Sequence, residues 1–137
     1  MADLPKRELR NTGYEVTSLA YGAMELRSPP RGPQLSDEEA GALLNTVLDV
    51  GINLIDTSID YGLSEERIGK FISSRRDEYF LATKCGCVPN SDGEHVHTAA
   101  NIRHGVERSL GLMQTDHLDL VQFHRSLTPA EFDEKGP

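Results

Sequence analysis

Ile52-Asn53-Leu54-Ile55-Asp56-Thr57-Ser58-Ile59-Asp60-Tyr61-Gly62 opens as a short apolar run after Gly51 and then turns polar abruptly. Such a run suits a strand buried on both faces, as in a parallel sheet. The change of character puts Asp56 at the strand end and Tyr61 in the loop that follows. A carboxylate at the mouth of a buried strand is costly unless another group pairs with it. A tyrosine hydroxyl in the next loop is well placed to act as a proton donor.

Just before this stretch, Ser36-Asp37-Glu38-Glu39 forms a capping box, with two further acids in the first turn. Ala40, Leu43, Leu44, Val47 and Leu48 follow at helical spacing, and Gly51 ends the helix. After it, Ser64 is read as the cap of a shorter helix carrying Ile68, Phe71 and Ile72 on one face. Tyr79–Lys84 is a second buried strand, and residues 90–97 are a polar loop. Ile102, Val106, Leu110 and Met113 give a third helical stripe, and His117–His124 a further strand.

Towards the N-terminus, Leu19–Ala23 reads as a first core strand ending near Gly22, where backbone can approach a ligand closely. Two short strands precede it, Arg7–Arg10 and Glu15–Ser18, joined by a turn at Asn11-Thr12-Gly13-Tyr14. The loop Ser28-Pro29-Pro30-Arg31-Gly32-Pro33 is neither helix nor inner strand. The order after the hairpin is therefore βαβαβαβ, the pattern of a parallel sheet with right-handed crossovers. No linker interrupts it, so residues 1–137 are read as one domain. The final Pro129–Pro137 reads as the approach to a further helix.

Composition narrows the function. At 137 residues the chain supports a single core. A net charge of −8 and the absence of Trp argue against a nucleic-acid surface. The N-terminal residues lead into no apolar signal segment, and no apolar run approaches ~20 residues, so a cytoplasmic protein with no membrane partner is expected. Cys85 and Cys87 are too close for an unstrained disulfide, which suits a reducing compartment.

The chemistry-bearing residues share a place. Asp56, Tyr61, Lys84 and His124 each lie at a strand's C-terminal end or just beyond it, the edge that binds ligands in parallel α/β folds. Taken singly, each has an ordinary explanation: a turn carboxylate, a half-buried ring, a solvated strand end, a core histidine. A metal-binding module is the rival reading, because Cys85-Gly86-Cys87 and His95-Val96-His97 bring four soft ligands together. Structural zinc pairs are usually spaced C-x₂₋₄-C and H-x₃₋₅-H, however, so no metal is expected from these pairs and 90–97 is read as a solvated loop.

Taken together, Asp56-Thr57-Ser58-Ile59-Asp60-Tyr61-Gly62, Ala82-Thr83-Lys84 and Asp119-Leu120-Val121-Gln122-Phe123-His124 resemble the aldo-keto reductases in order, spacing and strand position. The opening hairpin, Leu19–Met24 and Gly51-Ile52-Asn53 are similar too. Ser58, where alanine is common, and Arg125, where some branches carry tryptophan, depart from the pattern. The resemblance implies the first half of a (β/α)₈ TIM barrel, with about four of its strands. It implies NADPH-dependent reduction of a small carbonyl substrate, an aldehyde or ketone, with Tyr61 as general acid. Free tyrosine, with a pKa of about 10, is a poor donor at neutral pH, and an adjacent ammonium favours its phenolate. Lys84 would provide that ammonium, Asp56 would orient it, and His124 would align the carbonyl oxygen. Gly22, Ala23, Met24 and Asp56 would meet the cofactor, with Gln34 a weaker candidate. No GxGxxG is present, so a Rossmann dinucleotide site has no support. A half-barrel exposes two sheet edges, which makes self-association or a non-catalytic interaction role the further alternative.

Overall fold

The computed structural model describes residues 4–88, 91 and 93–130. An antiparallel hairpin, β1 (Lys6–Glu8) and β2 (Glu15–Thr17), precedes a four-stranded parallel sheet. The sheet strands are β3 (Tyr21–Gly22), β4 (Leu54–Asp56), β5 (Phe80–Cys85) and β6 (Leu120–Phe123), neighbours in chain order. Helices α1 (Asp37–Asp49), α2 (Ser64–Ile72) and α3 (Ala99–Leu112) separate the sheet strands. This is α/β architecture of the kind that builds half of a TIM barrel, as the strand–helix alternation predicts.

The helices cover one face of the sheet. Ile55 and Leu81 point into that layer and are fully buried with Leu44 of α1, Ile68 and Ile72 of α2, and Met113 after α3. Alternation along the strands sends Leu54, Asp56, Phe80, Lys84, Leu120 and Gln122 to the other face. That face carries no helical layer among the described residues.

The capping box forms as the sequence predicts: the Ser36 hydroxyl accepts from Glu39 N–H, and the Glu39 carboxylate accepts from Ser36 N–H. Leu43, expected on the apolar face of α1, instead points outward and is 38% exposed, while Gly41 takes the contact with Phe71. Ser64 is not a cap. Leu63 holds that position without a side-chain bond, and the Ser64 hydroxyl, buried in the first turn, donates to the Ala23 carbonyl at 2.9 Å. Of the predicted third stripe, Met113 is fully buried but Ile102, Val106 and Leu110 are only half-buried, and within α3 the buried residues are Gly105 and Ser109.

Three strand predictions shift. The core strand expected at residues 19–23 shortens to Tyr21–Gly22, because Ala23 begins a 3₁₀ helix (Ala23–Arg27) that buries Ala23 and Leu26 together. The last strand starts at Leu120 rather than at His117: Arg76 takes the His117 carbonyl at 3.2 Å and the Asp119 carboxylate at 2.6 Å. In the hairpin, Leu9 N–H donates to the Tyr14 carbonyl at 2.8 Å, so the turn closes over residues 10–13, one residue earlier than predicted. The further helix expected at 129–137 falls largely outside the described residues.

Candidate active site

The site is assembled from strand ends. In β4, Asp56 is the last residue, and Thr57, fully buried, continues the chain by donating its N–H to Ala82 of β5 at 2.9 Å. Two turns then set Tyr61: its N–H donates to the Ser58 carbonyl at 3.0 Å, and its own carbonyl accepts from Ser64 N–H at 2.8 Å. Gly62 is required at the next position. Its φ is +47°, and a Cβ there would stand 2.3 Å from the Arg27 carbonyl oxygen. Arg31 clamps the same loop from the other side, pairing both its terminal nitrogens with the Asp60 carboxylate at 3.0 Å.

Lys84 reaches back from β5 across the rim. Its ammonium donates to Asp56 Oδ2 at 2.7 Å and to the Thr57 carbonyl at 2.9 Å, and stands 5.2 Å from the centre of the Tyr61 ring. The Lys84 side chain is 14% exposed and that of Asp56 38%, so the pair sits at the rim with its ammonium end largely covered and its carboxylate partly open to solvent. Asp56 Oδ1 is buried and has no hydrogen-bond partner among the described residues.

His124 follows β6, its backbone N–H held by the Cys85 carbonyl at 3.1 Å. The imidazole meets the Tyr61 ring edge-on at 5.6 Å between centres. Burial, and next the Lys84 charge, push the His124 pKa below the ordinary histidine value, so the ring is neutral at neutral pH. Nδ1 lies 3.1 Å from Ser58 Oγ and 2.9 Å from Cys87 Sγ. Burial pushes the Cys87 thiol up, which keeps its proton in place. The Ser58 oxygen accepts from Asp60 N–H, leaving its own proton to donate. Two donors therefore face Nδ1, and the tautomer that satisfies them carries its hydrogen on Nε2, as a hydrogen-bond donor.

The fold thus brings together Asp56, Tyr61, Lys84 and His124. The expected cofactor residues are divided. Gly22 and Met24 are exposed at the end of β3, whereas the Ala23 side chain is buried in the core and its carbonyl is taken by Ser64. Gln34 is exposed in the loop before α1. A cavity of about 650 Å³ lies nearby between Pro29, Pro30, Arg31, Asp60, Gly62 and Arg108, and none of the four rim residues lines it. Sequence reasoning passed over Ser58 and Cys87 as partners of His124. Ser58 was visible only as a departure from alanine.

A four-stranded parallel sheet with helices on one face and a Tyr–Lys–Asp–His cluster at its C-terminal rim has the arrangement of part of a parallel α/β barrel. The sequence pattern of the aldo/keto reductase family matches residues 18–134, and the chain belongs to that family. It is 33% identical over 129 residues to L-galactose dehydrogenase of Arabidopsis thaliana, covering 90% of this chain and 39% of that protein. To 6-dehydroglucose reductase of Novosphingobium aromaticivorans it is 31% identical over 140 residues, covering 91% and 44%. Among solved structures, an aldo-keto reductase from Bacillus halodurans in its holo form superposes with a TM-score of 0.80 at 29% identity, covering 97% of this chain and 48% of that one. The chain therefore spans about half the length, or less, of the relatives it matches. The family is typically NADP(H)-dependent. No helix among the described residues is long and apolar enough to cross a membrane.

Proposed function

We propose that this chain supplies the catalytic rim of a reductase that converts an aldehyde or ketone to an alcohol with NADPH. The observation that carries the reading is the Lys84 ammonium, held at 2.7 Å by Asp56 and set against the Tyr61 ring beside His124.

Tyr61 donates its phenolic proton to the carbonyl oxygen as negative charge develops there. Lys84, the cation nearest the ring, stabilises the phenolate left behind, and Asp56 fixes Lys84 in place. Neutral His124 presents Nε2–H to the same oxygen, orienting the carbonyl and sharing its charge. The residues present fit the nicotinamide–ribose end of the cofactor: Asp56 Oδ1 is a buried acceptor awaiting a donor, and Gly22 and Met24 leave the adjoining strand end open. NADPH, when bound, supplies the hydride.

Positioning two reactants is worth up to ~7–11 kcal/mol of barrier, and most of the surface that would grip a dinucleotide is not among these residues. The 137-residue chain alone is therefore expected to bind NADPH weakly and turn over very little. The edges of β3 and β6, unpaired among the described residues, are expected to drive self-association, readable by sedimentation velocity as mass that rises with concentration. The test of function is NADPH-dependent reduction of 4-nitrobenzaldehyde, by the chain alone and by the chain joined to the second half of a family barrel. Turnover that appears on joining and is lost in Tyr61→Phe supports the reading. Turnover that Tyr61→Phe leaves intact, or efficient turnover by the monomeric chain alone, overturns it.

A further inference from the structure

The close Cys and His pairs of the sequence are split by the fold. Gly86, at φ +89°, breaks the strand alternation after β5. Cys85 stays in the strand on the helix-facing side, while Cys87 turns toward His124. Cys87 also lies directly opposite His95 in an isolated antiparallel bridge. The bonds Val88 N–H to the Glu94 carbonyl, 2.9 Å, and Val96 N–H to the Gly86 carbonyl, 2.7 Å, flank this pair. It is therefore a non-hydrogen-bonded pair, the kind in which facing side chains come closest on one side of the ribbon. His97, the other histidine of the pair, is buried edge-on against Phe123 and packs on Gly86. Within the segment expected to be solvated, His97 is thus buried and His95 and Val96 half-buried, while Gly93 and Glu94 are exposed as expected.

The result is a three-donor cluster. Cys87 Sγ and one ring nitrogen each from His95 and His124 all lie within 4.8 Å of one another. With Zn–S near 2.3 Å and Zn–N near 2.0–2.1 Å, a tetrahedral ion needs donor separations of about 3.3–3.6 Å. The 2.9 Å contact between Cys87 Sγ and His124 Nδ1 would open slightly and the wider separations would close, movements that side-chain torsions supply. One thiolate and two imidazoles select a soft or borderline ion over magnesium or calcium.

We propose that Cys87, His95 and His124 form a binding site for a divalent transition-metal ion, zinc above all, with the fourth position left to solvent. The spacing objection applied to Cys85–Cys87 and His95–His97 as pairs; the fold takes one ligand from each and a third from the end of β6. On binding, Cys87 releases its thiol proton to solvent as the sulfur–metal bond forms, His124 exchanges its bonds with Ser58 and Cys87 for a metal bond, and no electron is transferred. The site does not depend on the reductase reading.

The test is anaerobic titration of the purified 137-residue chain with Co²⁺, with zinc added afterwards as competitor. Expected are one equivalent of tetrahedral visible bands, a near-ultraviolet thiolate-to-cobalt charge-transfer band, and displacement of both by zinc. Cys85→Ala should behave as wild type, and Cys87→Ala should lose the charge-transfer band. His95→Ala, at a half-exposed position, should weaken Co²⁺ binding by about tenfold or more while the circular dichroism spectrum is retained. Tyr61→Phe should bind cobalt normally, so the metal site and the reductase reading fail separately. Absence of the charge-transfer band, its survival in Cys87→Ala, or unchanged affinity in His95→Ala overturns the proposal.

Discussion

The two rims of the parallel sheet are built from similar residue types and put to opposite uses. At the N-terminal rim, polar side chains are saturated with partners. Asn53 fastens the hairpin to β4 through three bonds: its side-chain oxygen accepts from Thr17 N–H at 2.7 Å, its amide donates to the Glu15 carbonyl at 3.0 Å, and its backbone N–H donates to Thr17 Oγ1 at 3.2 Å. Arg76 donates to the Tyr79 and His117 carbonyls, to Thr115 Oγ1 and to the Asp119 carboxylate, which in turn accepts from Leu81 N–H at 2.7 Å. The C-terminal rim keeps capacity in reserve: among the described residues Asp56 Oδ1 has no partner, and with Nδ1 taken by Ser58 and Cys87 the His124 ring keeps its Nε2–H to donate. One rim spends its polar groups on holding strands together, and the other leaves them able to meet something else.

The contrast breaks first where it is strongest, in rate. In the completed barrel, Tyr61→Phe should lower kcat by about 10²–10⁴, the usual worth of a positioned general acid. Its urea midpoint should stay at the wild-type value, since no side-chain hydrogen bond of Tyr61 supports the fold among the described contacts. A fall in stability to match the fall in rate would mean that the C-terminal rim is structural as well.

Arg76→Ala should do the reverse. Arg76 and Asp119 are each 11% exposed, and removing one partner of such a pair leaves a buried charge at a cost of about 3–5 kcal/mol. Equilibrium unfolding in urea measures this. A loss under ~1 kcal/mol would place the pair with ordinary surface ion pairs and weaken the distinction between the rims. Asn53→Ala is the milder case. It leaves Thr17 N–H and the Glu15 carbonyl without their partner, for about 1–3 kcal/mol, with the loss concentrated in the hairpin. Amide exchange should show β1 and β2 opening before the parallel sheet does.

The division between the rims was largely readable from the chain, because it rests on local signals. Apolar runs ending in Asp56, Lys84 and His124 mark strand ends by polarity alone, although the last strand proves half-buried to exposed, and Ser36 with Glu39 marks a helix start by spacing alone. What resisted reading depends on partners distant in sequence. Ser64 has the residue type and place of a cap, yet its hydroxyl serves the Ala23 carbonyl. Arg67 sits in a charged run on α2, yet it is buried and holds the Leu26 and Leu35 carbonyls at 2.8 and 2.6 Å. The Cys87–His95 bridge depends on the positive φ of Gly86, which residue type permits but does not announce.

Glu65 belongs to neither rim, and it gives the smallest and most selective test. It lies beneath the sheet where α2, α3 and β5 meet, 1% exposed, with Oε1 accepting from Thr83 Oγ1 at 2.7 Å and Ser109 Oγ at 2.8 Å. Arg108 stands 3.8 Å from Oε2, too far for a hydrogen bond, and burial raises the Glu65 pKa above the ordinary carboxylate value. The sign follows from linkage. Between the unfolded and folded pKa values the native state holds the proton and the unfolded chain has lost it, so stability falls as pH rises through that interval and levels off above it. The lowered pKa values of Asp37, Glu39, Glu78 and Asp116 act on the other side of the carboxylate range, where stability is lost as pH falls. These groups, and His124, titrate alike in wild type and Glu65→Gln, so subtracting the two urea-midpoint profiles isolates Glu65. The variant should gain on wild type as pH rises above the ordinary carboxylate range, by less than the Arg76→Ala loss, and the gap should then hold constant. A difference that is flat, or that runs the other way, would show that the two hydroxyls and Arg108 compensate the buried charge in full, and that this carboxylate is as well satisfied as the groups of the N-terminal rim.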